Sequence, residues 1–387
     1  MVAYLPTLKN PSPEDQFLFT CTRQNFLPVH QSGLASILHR QSLRWDGVYA
    51  TAVAHGVAPL IYTNMSRCPD VLAQIPPDVR AKFERCTRGN VLVKEMHAER
   101  IRGVLEFFAL RSVAVLLVKG ASLDRTVYLE PWYTLSADID LMIHCRQEDF
   151  PGADLPNVHA LVQGRNSFER RQSVEFEWFG HHDVSMNNLF PVDFAAIWKE
   201  ARPIKVRDQA ALIMAPEHML LAACTNSCRK RFFRLKALCD IAEIIMAQPI
   251  NWDRFAATAR QWRCEIIAYT ALLVAAMTLQ CPLPQGVLDE LRVSRLRRQA
   301  IEFLSRRQSF ASLATLSRGS HAPSRRLGAG LLLPLAAYRL KELVTNIRIV
   351  RQVASYRRRQ SVQQPVEKGD RTCCPLFQQA ANFPSAR

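Results

Sequence analysis

The feature that most constrains the fold is an apolar run from Val113 to Val118 (VAVLLV), which ends at Lys119-Gly120. Leucine and β-branched residues fill this run, and its length is that of a strand. Such a run is typical of a strand that is buried on both faces of a sheet. We expect a short helix at about residues 121–128, directly after the Lys-Gly turn. The chain therefore needs a sheet that is covered on both sides.

Further strands are expected close to this run. After a loop at residues 129–137, the segment DIDLMIH (residues 138–144) reads as a second strand, and two more candidates lie at residues 174–179 and 190–194. Helical periodicity dominates the sequence on both sides of these segments. Strands that are confined to one part of the chain and flanked by helices predict an α+β fold with a mixed sheet.

The flanking helices are marked by apolar periodicity and by proline. The pair Pro76-Pro77 indicates a helix that starts at Pro77, and an amphipathic helix is expected from about Val91 to Leu110. After Pro216 the expected helices lie in the segments PEHMLLAAC, RLKALCDIAEIIMA, INWDRFAATARQW and the apolar run Ile266–Leu279. The last of these is too short for a membrane span and reads as a buried helix.

The composition excludes several classes of protein. The chain has 387 residues, of which 48% are hydrophobic and 22% charged, so it can bury a large core. We find neither an apolar run long enough to span a membrane nor a secretory signal pattern, and we expect a cytoplasmic protein. Eleven scattered cysteines, including Cys224 and Cys228, lack zinc-ribbon spacing and read as free thiols.

The net charge of +16 is concentrated near the C-terminus. Residues 291–360 contain 16 lysines and arginines and two acids, a net charge of +14. We expect a flexible basic loop at about residues 305–330, a basic amphipathic helix at about residues 331–359, and a disordered tail at residues 361–387. The first three quarters of the chain are nearly neutral.

The candidate chemistry lies in the second strand. Asp138 and Asp140 are two residues apart, so in an extended segment both carboxylates project from one face while Ile139, Leu141 and Ile143 point into the core. Neighbouring carboxylates repel one another, and a divalent cation such as Mg2+ relieves that repulsion. Solvated acids at a strand edge are the alternative interpretation.

The turn before that strand could hold a phosphate. Lys119 offers a cation, Gly120 allows a close backbone approach, and Ser122 offers a hydroxyl near the amides of a helix N-terminus. The segment is not a P-loop, and an ordinary strand-to-helix turn would look the same. The order of the elements, a strand, a glycine turn, a helix and a strand with two acids, favours the phosphate site.

A third carboxylate would complete a site for two metal ions. Asp193 in FPVDF is the favoured candidate, because a single acid in an apolar, strand-like run is costly to bury without a partner. Glu175 and Glu177 in VEFEW also alternate correctly and remain the competing choice, with a solvated face as their simpler interpretation.

The motifs HGVAPLIY, LLVKGASL, SADIDLMI, PVDFAAIW, PEHMLL and RLKALCDIAEII resemble, in order and approximate spacing, the uncharacterised bacterial nucleotidyltransferase family of the DNA polymerase β superfamily. The resemblance covers roughly residues 40–250. It implies a nucleotidyltransferase palm in which Lys119, Gly120 and Ser122 meet the triphosphate of an NTP. On the same analogy Asp138, Asp140 and Asp193 hold one or two Mg2+ ions, and Asp193 also helps to activate the acceptor hydroxyl.

The resemblance also suggests how the chain is divided. The expected parts are an N-terminal helical region (1–90), the palm (91–210), a C-terminal helical domain (211–304), a basic loop and amphipathic helix (305–360) and the tail (361–387).

Some positions depart from the family pattern. Thr134 stands where an arginine is usual, and Ala196 with Trp198 replaces a histidine-tryptophan pair. Two other groups have simpler interpretations. His181-His182-Asp183 reads as a strand-end turn rather than a metal site. The basic residues between Arg229 and Lys236 could reach a phosphate or form a solvated face.

We therefore expect a Mg2+-dependent nucleotidyltransferase that moves a nucleoside monophosphate from an NTP, with ATP the expected donor, to a hydroxyl, releasing pyrophosphate. The acceptor could be a protein, a sugar, a small molecule or RNA. The alternative is a binding module with reduced activity, whose arginine-rich C-terminus docks on nucleic acid or an acidic surface. Docking of the basic helix on an anionic membrane is a lesser alternative.

Overall fold

A computed structural model describes residues 8–40, 42–136, 138–146, 149–151, 174–178, 190–306 and 336–337. Within these ranges the strands form one five-stranded mixed sheet in the order β3-β2-β1-β5-β4. Its strands are β1 (Val115–Leu117), β2 (Ile139–Ile143), β3 (Val174–Trp178), β4 (Arg202–Val206) and β5 (Gln209–Ile213). β1 is antiparallel to β2 and parallel to β5, β2 is parallel to β3, and β4 is antiparallel to β5.

The central strand β1 is buried on both faces, as the sequence predicts, and its neighbour β2 is buried as well. Leu116 and Leu117 in β1 are fully buried, and every residue of β2 is buried. β1 is shorter than the apolar run that contains it. The helix α7 (Lys119–Thr126) starts two residues earlier than expected, because the chain turns into it directly after Val118.

The N-terminal part is helical, as expected. Its helices are α1 (Pro13–Cys21), α2 (Pro28–Arg40), α3 (Trp45–His55), α4 (Ala58–Ser66), α5 (Pro69–Ala73) and α6 (Pro77–Ala109). Ser12 caps α1 by accepting a hydrogen bond from the Asp15 amide at 3.1 Å. α6 begins at Pro77, where the proline pair predicts it.

The helix α6 is longer than the sequence analysis suggests. It runs without interruption over 33 residues, so the segment after Pro77 and the amphipathic stretch from Val91 are one helix rather than two. The expected boundary between residues 90 and 91 falls inside it. Neither proline nor a cap interrupts the stretch, and the buried stripe continues from Val79 to Phe108.

A hairpin formed by β4 and β5 was not predicted. Val206 pairs with Gln209, so Arg207 and Asp208 form a two-residue turn, and Arg207 takes the left-handed backbone conformation that such turns require. The expected boundary between residues 210 and 211 lies within β5. This hairpin extends the sheet beyond β1 and leads into the C-terminal helices.

Helices lie in all four segments predicted after Pro216, and three further helices in the described residues of this part of the chain were not predicted. The helices of this part are α8 (Phe194–Lys199), which precedes β4, and then α9 (Pro216–Arg229), α10 (Leu235–Ala247), α11 (Trp252–Gln261), α12 (Glu265–Leu279), α13 (Val287–Glu290) and α14 (Arg295–Ser305). Every residue of α12 from Ile266 to Leu279 is buried, as expected for a central helix.

One continuous hydrophobic core joins these parts. It extends from Phe17 in α1 through the sheet to Ile301 in α14. The nine cysteines in the described ranges are free thiols. Among the same residues, no helix is both long enough and apolar enough to cross a bilayer.

Candidate functional site

Asp140 and Lys119 meet where β1 ends and β2 begins. The Lys119 ammonium donates to Oδ1 of Asp140 at 2.5 Å. The Asp140 side chain is 10% exposed and that of Lys119 is 31% exposed. Lys119 has a φ of +48°, a left-handed conformation that lysine rarely adopts and that sharply redirects the chain from β1 into α7. The predicted acid and cation therefore form a half-buried ion pair.

Asp138 lies just before β2 and is exposed to solvent. Asp138 is close enough to Lys230, at the end of α9, to affect the pKa of that lysine. Partial burial, together with the cationic Arg234, Arg229 and Lys119, lowers the pKa of Lys230, and the Asp138 carboxylate opposes this shift. The basic turn between α9 and α10 thus lies beside Asp138 and Lys119, rather than on a remote solvated face.

Gly120 is buried near the loop that leads to Asp138. A Cβ built on Gly120 would lie 3.4 Å from Oγ of Ser136, which is an ordinary contact distance. An alanine would therefore fit at this position in the folded chain. Packing within the chain therefore does not require glycine at position 120. A ligand that approaches the backbone closely would require it.

Ser122 is 2% exposed, and its hydroxyl has no hydrogen-bond partner among the described residues. It lines a cavity of about 50 Å³ that Lys119 and Gly120 also line. Lys236 and Asp240 border the same cavity and are paired with each other at 2.8 Å. Ser122 is therefore beside the Lys-Gly turn, and its role in holding a phosphate stays a prediction.

The prediction of a strand around Asp193 is wrong. Residues 190–193 are not in a strand, and Asp193 is the N-cap of α8, where its Oδ1 accepts from the Ala196 amide at 2.9 Å. A short apolar run cannot by itself distinguish a strand from a helix start, and aspartate is a favoured N-cap residue. The Asp193 carboxylate also acts electrostatically on His218 in α9.

Glu175 is the competing candidate for the third carboxylate. Its strand pairs with β2 in a register that could not be read from the sequence. In the parallel pair of β2 and β3, Glu175 is the partner of Asp140, and Glu177 is the partner of Met142. The backbone therefore places Glu175 at the level of Asp140 on the neighbouring strand. Among the described residues there is no cluster of three or more ligating side chains, so the structure does not choose between Asp193 and Glu175.

The loop before Asp138 is held by polar side chains from α6. The side-chain amide of Asn90 donates to the carbonyls of Trp132 at 2.6 Å and Thr134 at 3.2 Å. The ammonium of Lys94 donates to Oγ of Ser136 at 2.8 Å. Three of the five residues from 132 to 136 are thus tied to one rigid helix.

The motif HGVAPL holds the remaining two residues of this loop. The carbonyl of Gly56 accepts from the Leu135 amide at 2.9 Å, and the Leu60 amide donates to the Tyr133 carbonyl at 3.1 Å. Gly56 ends α3 with a φ of +77°, which glycine adopts without strain. Each residue from 132 to 136 therefore has a fixed partner, and this arrangement preorganises the position of Asp138.

Lys94 makes a buried ion pair as well. Its ammonium lies 2.5 Å from Oδ2 of Asp124 in α7, and both side chains are at most 5% exposed. Burial lowers the pKa of Lys94, and the Asp124 carboxylate opposes this shift. Removal of one member would leave a buried charge without compensation, at a cost of about 3–5 kcal/mol. The pair fixes α7, which carries Gly120, against α6.

Asn90, Lys94 and His97 were not singled out from the sequence, although a signal for them exists. They lie at intervals of four and three residues, in the stripe that continues with Ile101 and Val104. Polar residues in an otherwise apolar stripe are costly to bury unless they have hydrogen-bond or ion-pair partners. That interruption would have marked the three residues.

The departures from the family pattern have simple structural settings. Thr134 is fully buried in the anchored loop, so position 134 presents no side chain to solvent. Trp198 in α8 packs on the ring of His144, with 4.6 Å between ring centroids. The motif His181-His182-Asp183, most of the basic segment after residue 306, and the tail lie outside the described residues.

The acid pair fits the expected magnesium ion. Two carboxylates at one end of β2 supply the hard oxygen ligands that Mg2+ prefers, and a Mg2+ site commonly has few protein ligands and completes its shell with water and phosphate oxygens. The Lys119 ammonium donates to Oδ1 of Asp140. The donor set is therefore suitable for one ion held by Asp138 and Asp140.

The comparisons with known proteins identify one family. Residues 41–280 match a protein family that is described as an uncharacterised nucleotidyltransferase. Significant matches were found neither among curated proteins nor among solved structures. The matched region contains α3 to α12, the whole sheet and the Lys119–Asp140 pair.

Proposed function

Since the chain belongs to this nucleotidyltransferase family, we propose that it is a Mg2+-dependent enzyme that transfers a nucleoside monophosphate from an NTP to a hydroxyl and releases pyrophosphate. ATP is the proposed donor. The proposed acceptor is a hydroxyl on a protein, a sugar or a small molecule. The family itself supports nucleotide transfer only in general terms.

One observation carries the proposal. Asp140 pairs with Lys119 where β1 ends and β2 begins, and Asp138 follows a loop in which every residue from 132 to 136 has a hydrogen-bond partner. Phosphoryl-transfer sites rely on such fixed charges, because positioning and charge neutralisation supply most of the catalysis. Cations from the turn after α9 add to the positive charge at this point.

In this proposal Lys119, Gly120 and Ser122 bind the triphosphate. Lys119 neutralises phosphate charge, the Gly120 backbone approaches the phosphate closely, and the free hydroxyl of Ser122 donates to an oxygen. Asp138 and Asp140 would hold Mg2+, which when bound neutralises charge on the phosphate oxygens. Asp193 is the proposed third carboxylate.

The transfer step balances as follows. The acceptor oxygen forms a bond to the α-phosphorus, and the bond from that phosphorus to the oxygen bridging to the β-phosphate breaks. Both electrons of the broken bond leave with pyrophosphate. The proton of the acceptor hydroxyl passes to the Asp193 carboxylate. The chain's own residues thus position both reactants and accept one proton.

The proposal is tested with each of the four NTPs, labelled at the α-phosphate, in the presence of Mg2+. The purified chain is incubated alone and with a cell lysate, and the label is followed on protein and on small molecules. Transfer by the wild type and its loss on removal of Mg2+ are the expected results. Absence of transfer from every NTP, in either setting, would contradict the proposal.

A second function is favoured by the charge distribution. The segment 291–360 has a net charge of +14, which suits a non-catalytic module that docks on nucleic acid. Binding to generic duplex or single-stranded nucleic acid that weakens steeply with salt, without any nucleotide transfer, would support this function instead.

A further inference from the structure

An apolar cavity of about 60 Å³ opens beside the Lys119–Asp140 pair. Its walls include Met142, Ile197, Met214 and Trp262, and Lys119 borders it. The candidate site of the proposed function does not use this cavity. Its lining is mainly apolar, although Lys119 and Arg229 also border it.

The cavity lies on the face of the sheet that carries Asp140. Asp140 and Met142 are two residues apart in β2, so their side chains project from the same face. α9 lines the cavity from His218 near its start to Arg229 at its end. About 16 Å of helix separates these two residues, given a rise of 1.5 Å per residue. The cavity therefore extends away from the acid pair along α9.

His218 is one of the residues that line the cavity, and it has a buried polar atom that lacks a partner in the described part of the chain. The residue is 3% exposed, and its Nδ1 has no hydrogen-bond partner among the residues that the structure describes. The other ring nitrogen, Nε2, lies 3.5 Å from a carboxylate oxygen of Glu200. A neighbouring carboxylate favours a proton on Nε2, which leaves the lone pair on Nδ1.

The ring of His218 is held in place, and burial favours its neutral form. It stacks on Trp262, with 5.2 Å between ring centroids. Burial lowers its pKa, although Glu217 and Asp193 oppose the shift. An unpaired acceptor nitrogen in an apolar cavity is costly unless a ligand supplies a donor. The ligand that fits is apolar, with one O–H or N–H group at its far end.

We propose that this cavity binds the apolar body of the acceptor substrate, an aromatic or branched aliphatic compound that presents its reacting hydroxyl near Lys119 and a second hydrogen-bond donor to Nδ1 of His218. The assignment as an acceptor site rests on the proposed function. Met142, Ile197 and Met214 form an apolar wall, which suits such an apolar body.

The site can be tested without nucleotide, by using phenol and anisole as probes. Phenol carries the donor, whereas anisole has the same ring without it. Binding to the full chain is followed by the 13C-methyl NMR signals of methionine, assigned with the variants Met142→Leu and Met214→Leu. We expect both probes to shift the Met142 and Met214 signals, and the exposed Met246 to serve as the unshifted control.

The proposal predicts that phenol binds roughly fivefold more tightly than anisole, as expected for one hydrogen bond. His218→Phe should abolish this preference, while His218→Asn, which keeps a polar atom near the position of Nδ1, should retain part of it. Thermal unfolding shows whether each variant is folded. Equal affinities in the wild type, or a preference that persists in a folded His218→Phe, would contradict the role of His218.

A second arm distinguishes the acceptor from the nucleobase. The phenol titration is repeated with Mg2+ and a non-hydrolysable ATP analogue at saturation. Phenol should still bind, because the acceptor and the nucleotide occupy the site together. Displacement of phenol by the analogue would overturn the assignment as an acceptor site and would indicate that the cavity binds the nucleobase. If the analogue does not bind at all, the proposed function is contradicted, whereas a preference for phenol over anisole that depends on His218 still supports the binding site.

Discussion

The ammonium group of Lys119 lies 2.5 Å from Oδ1 of Asp140, although 21 positions separate the two residues. The antiparallel pairing of β1 with β2 brings them together, since Leu117 and Leu141 are partners in the sheet. Lys119 thus pairs with a proposed metal ligand, and it is also the residue proposed to bind the triphosphate.

Lys119→Met should weaken NTP binding. Loss of the ammonium leaves the largely buried Asp140 carboxylate without this partner, so the melting temperature should fall, and loss of a charged hydrogen bond to the triphosphate should raise the KM for NTP roughly tenfold or more. Steady-state kinetics at several NTP concentrations measure this. Lys199→Met, at an exposed lysine of α8, is the matched control. Similar KM values for Lys119→Met and the control would be evidence against the role of Lys119.

Asn90→Asp should slow the reaction through the anchored loop. The substitution keeps the size of the side chain but removes the amide that donates to Trp132 and Thr134, and it brings a carboxylate towards those carbonyls. We expect a fall in kcat of at least tenfold and a loss of stability of about 1–3 kcal/mol.

Urea unfolding and single-turnover kinetics separate these two effects of Asn90→Asp. Asn64→Asp is a matched control, because Asn64 is buried and donates to Cys21 and Arg23, away from the loop. Equal losses of rate in both folded variants would mean that Asn90 acts on stability alone.

The third carboxylate can be identified by charge-neutral substitutions. Asparagine caps helices as well as aspartate does, so Asp193→Asn should leave α8 intact. If Asp193 accepts the proton, this variant should lose at least a hundredfold in kcat, and Glu175→Gln should stay within threefold of wild type. The reverse pattern would give the role to Glu175, the register partner of Asp140.

Elements with a clear apolar pattern or a proline signal were predicted, whereas elements without such a signal and contacts between distant residues were not. β1, β2 and α9 to α12 follow from apolar periodicity and proline, and Lys119 and Asp140 follow from the order of their motifs. The β4–β5 hairpin was missed because its turn, Arg207-Asp208, lacks glycine. The contacts of Asn90 and Lys94 join residues 30 to 44 positions apart, and a linear pattern does not encode them.

Acid should destabilise the fold through His97. Burial, together with the positive charges of Lys94, Arg125 and Arg100, lowers the pKa of His97 to about 3. Below pH 6.5 the unfolded chain binds a proton that the folded chain does not, so stability is lost as the pH falls towards 3. The loss attributable to His97 is about 2 kcal/mol at pH 5.

Urea unfolding at pH 7.5 and pH 5 measures this loss. His97→Phe should be less sensitive to acid than the wild type, whereas His39→Gln, at an exposed histidine of α2, should behave like the wild type. An acid sensitivity that is unchanged in His97→Phe would rule out this contribution.

The most direct test of the account is transfer of α-labelled NTP by the double variant Asp138→Asn/Asp140→Asn. Asp208→Asn, in the exposed turn between β4 and β5, is the control for loss of a carboxylate elsewhere. With melting temperatures compared for all three proteins, the account predicts transfer by the wild type and the control and at least a thousandfold loss in the double variant. Transfer that persists in the folded double variant would contradict the account.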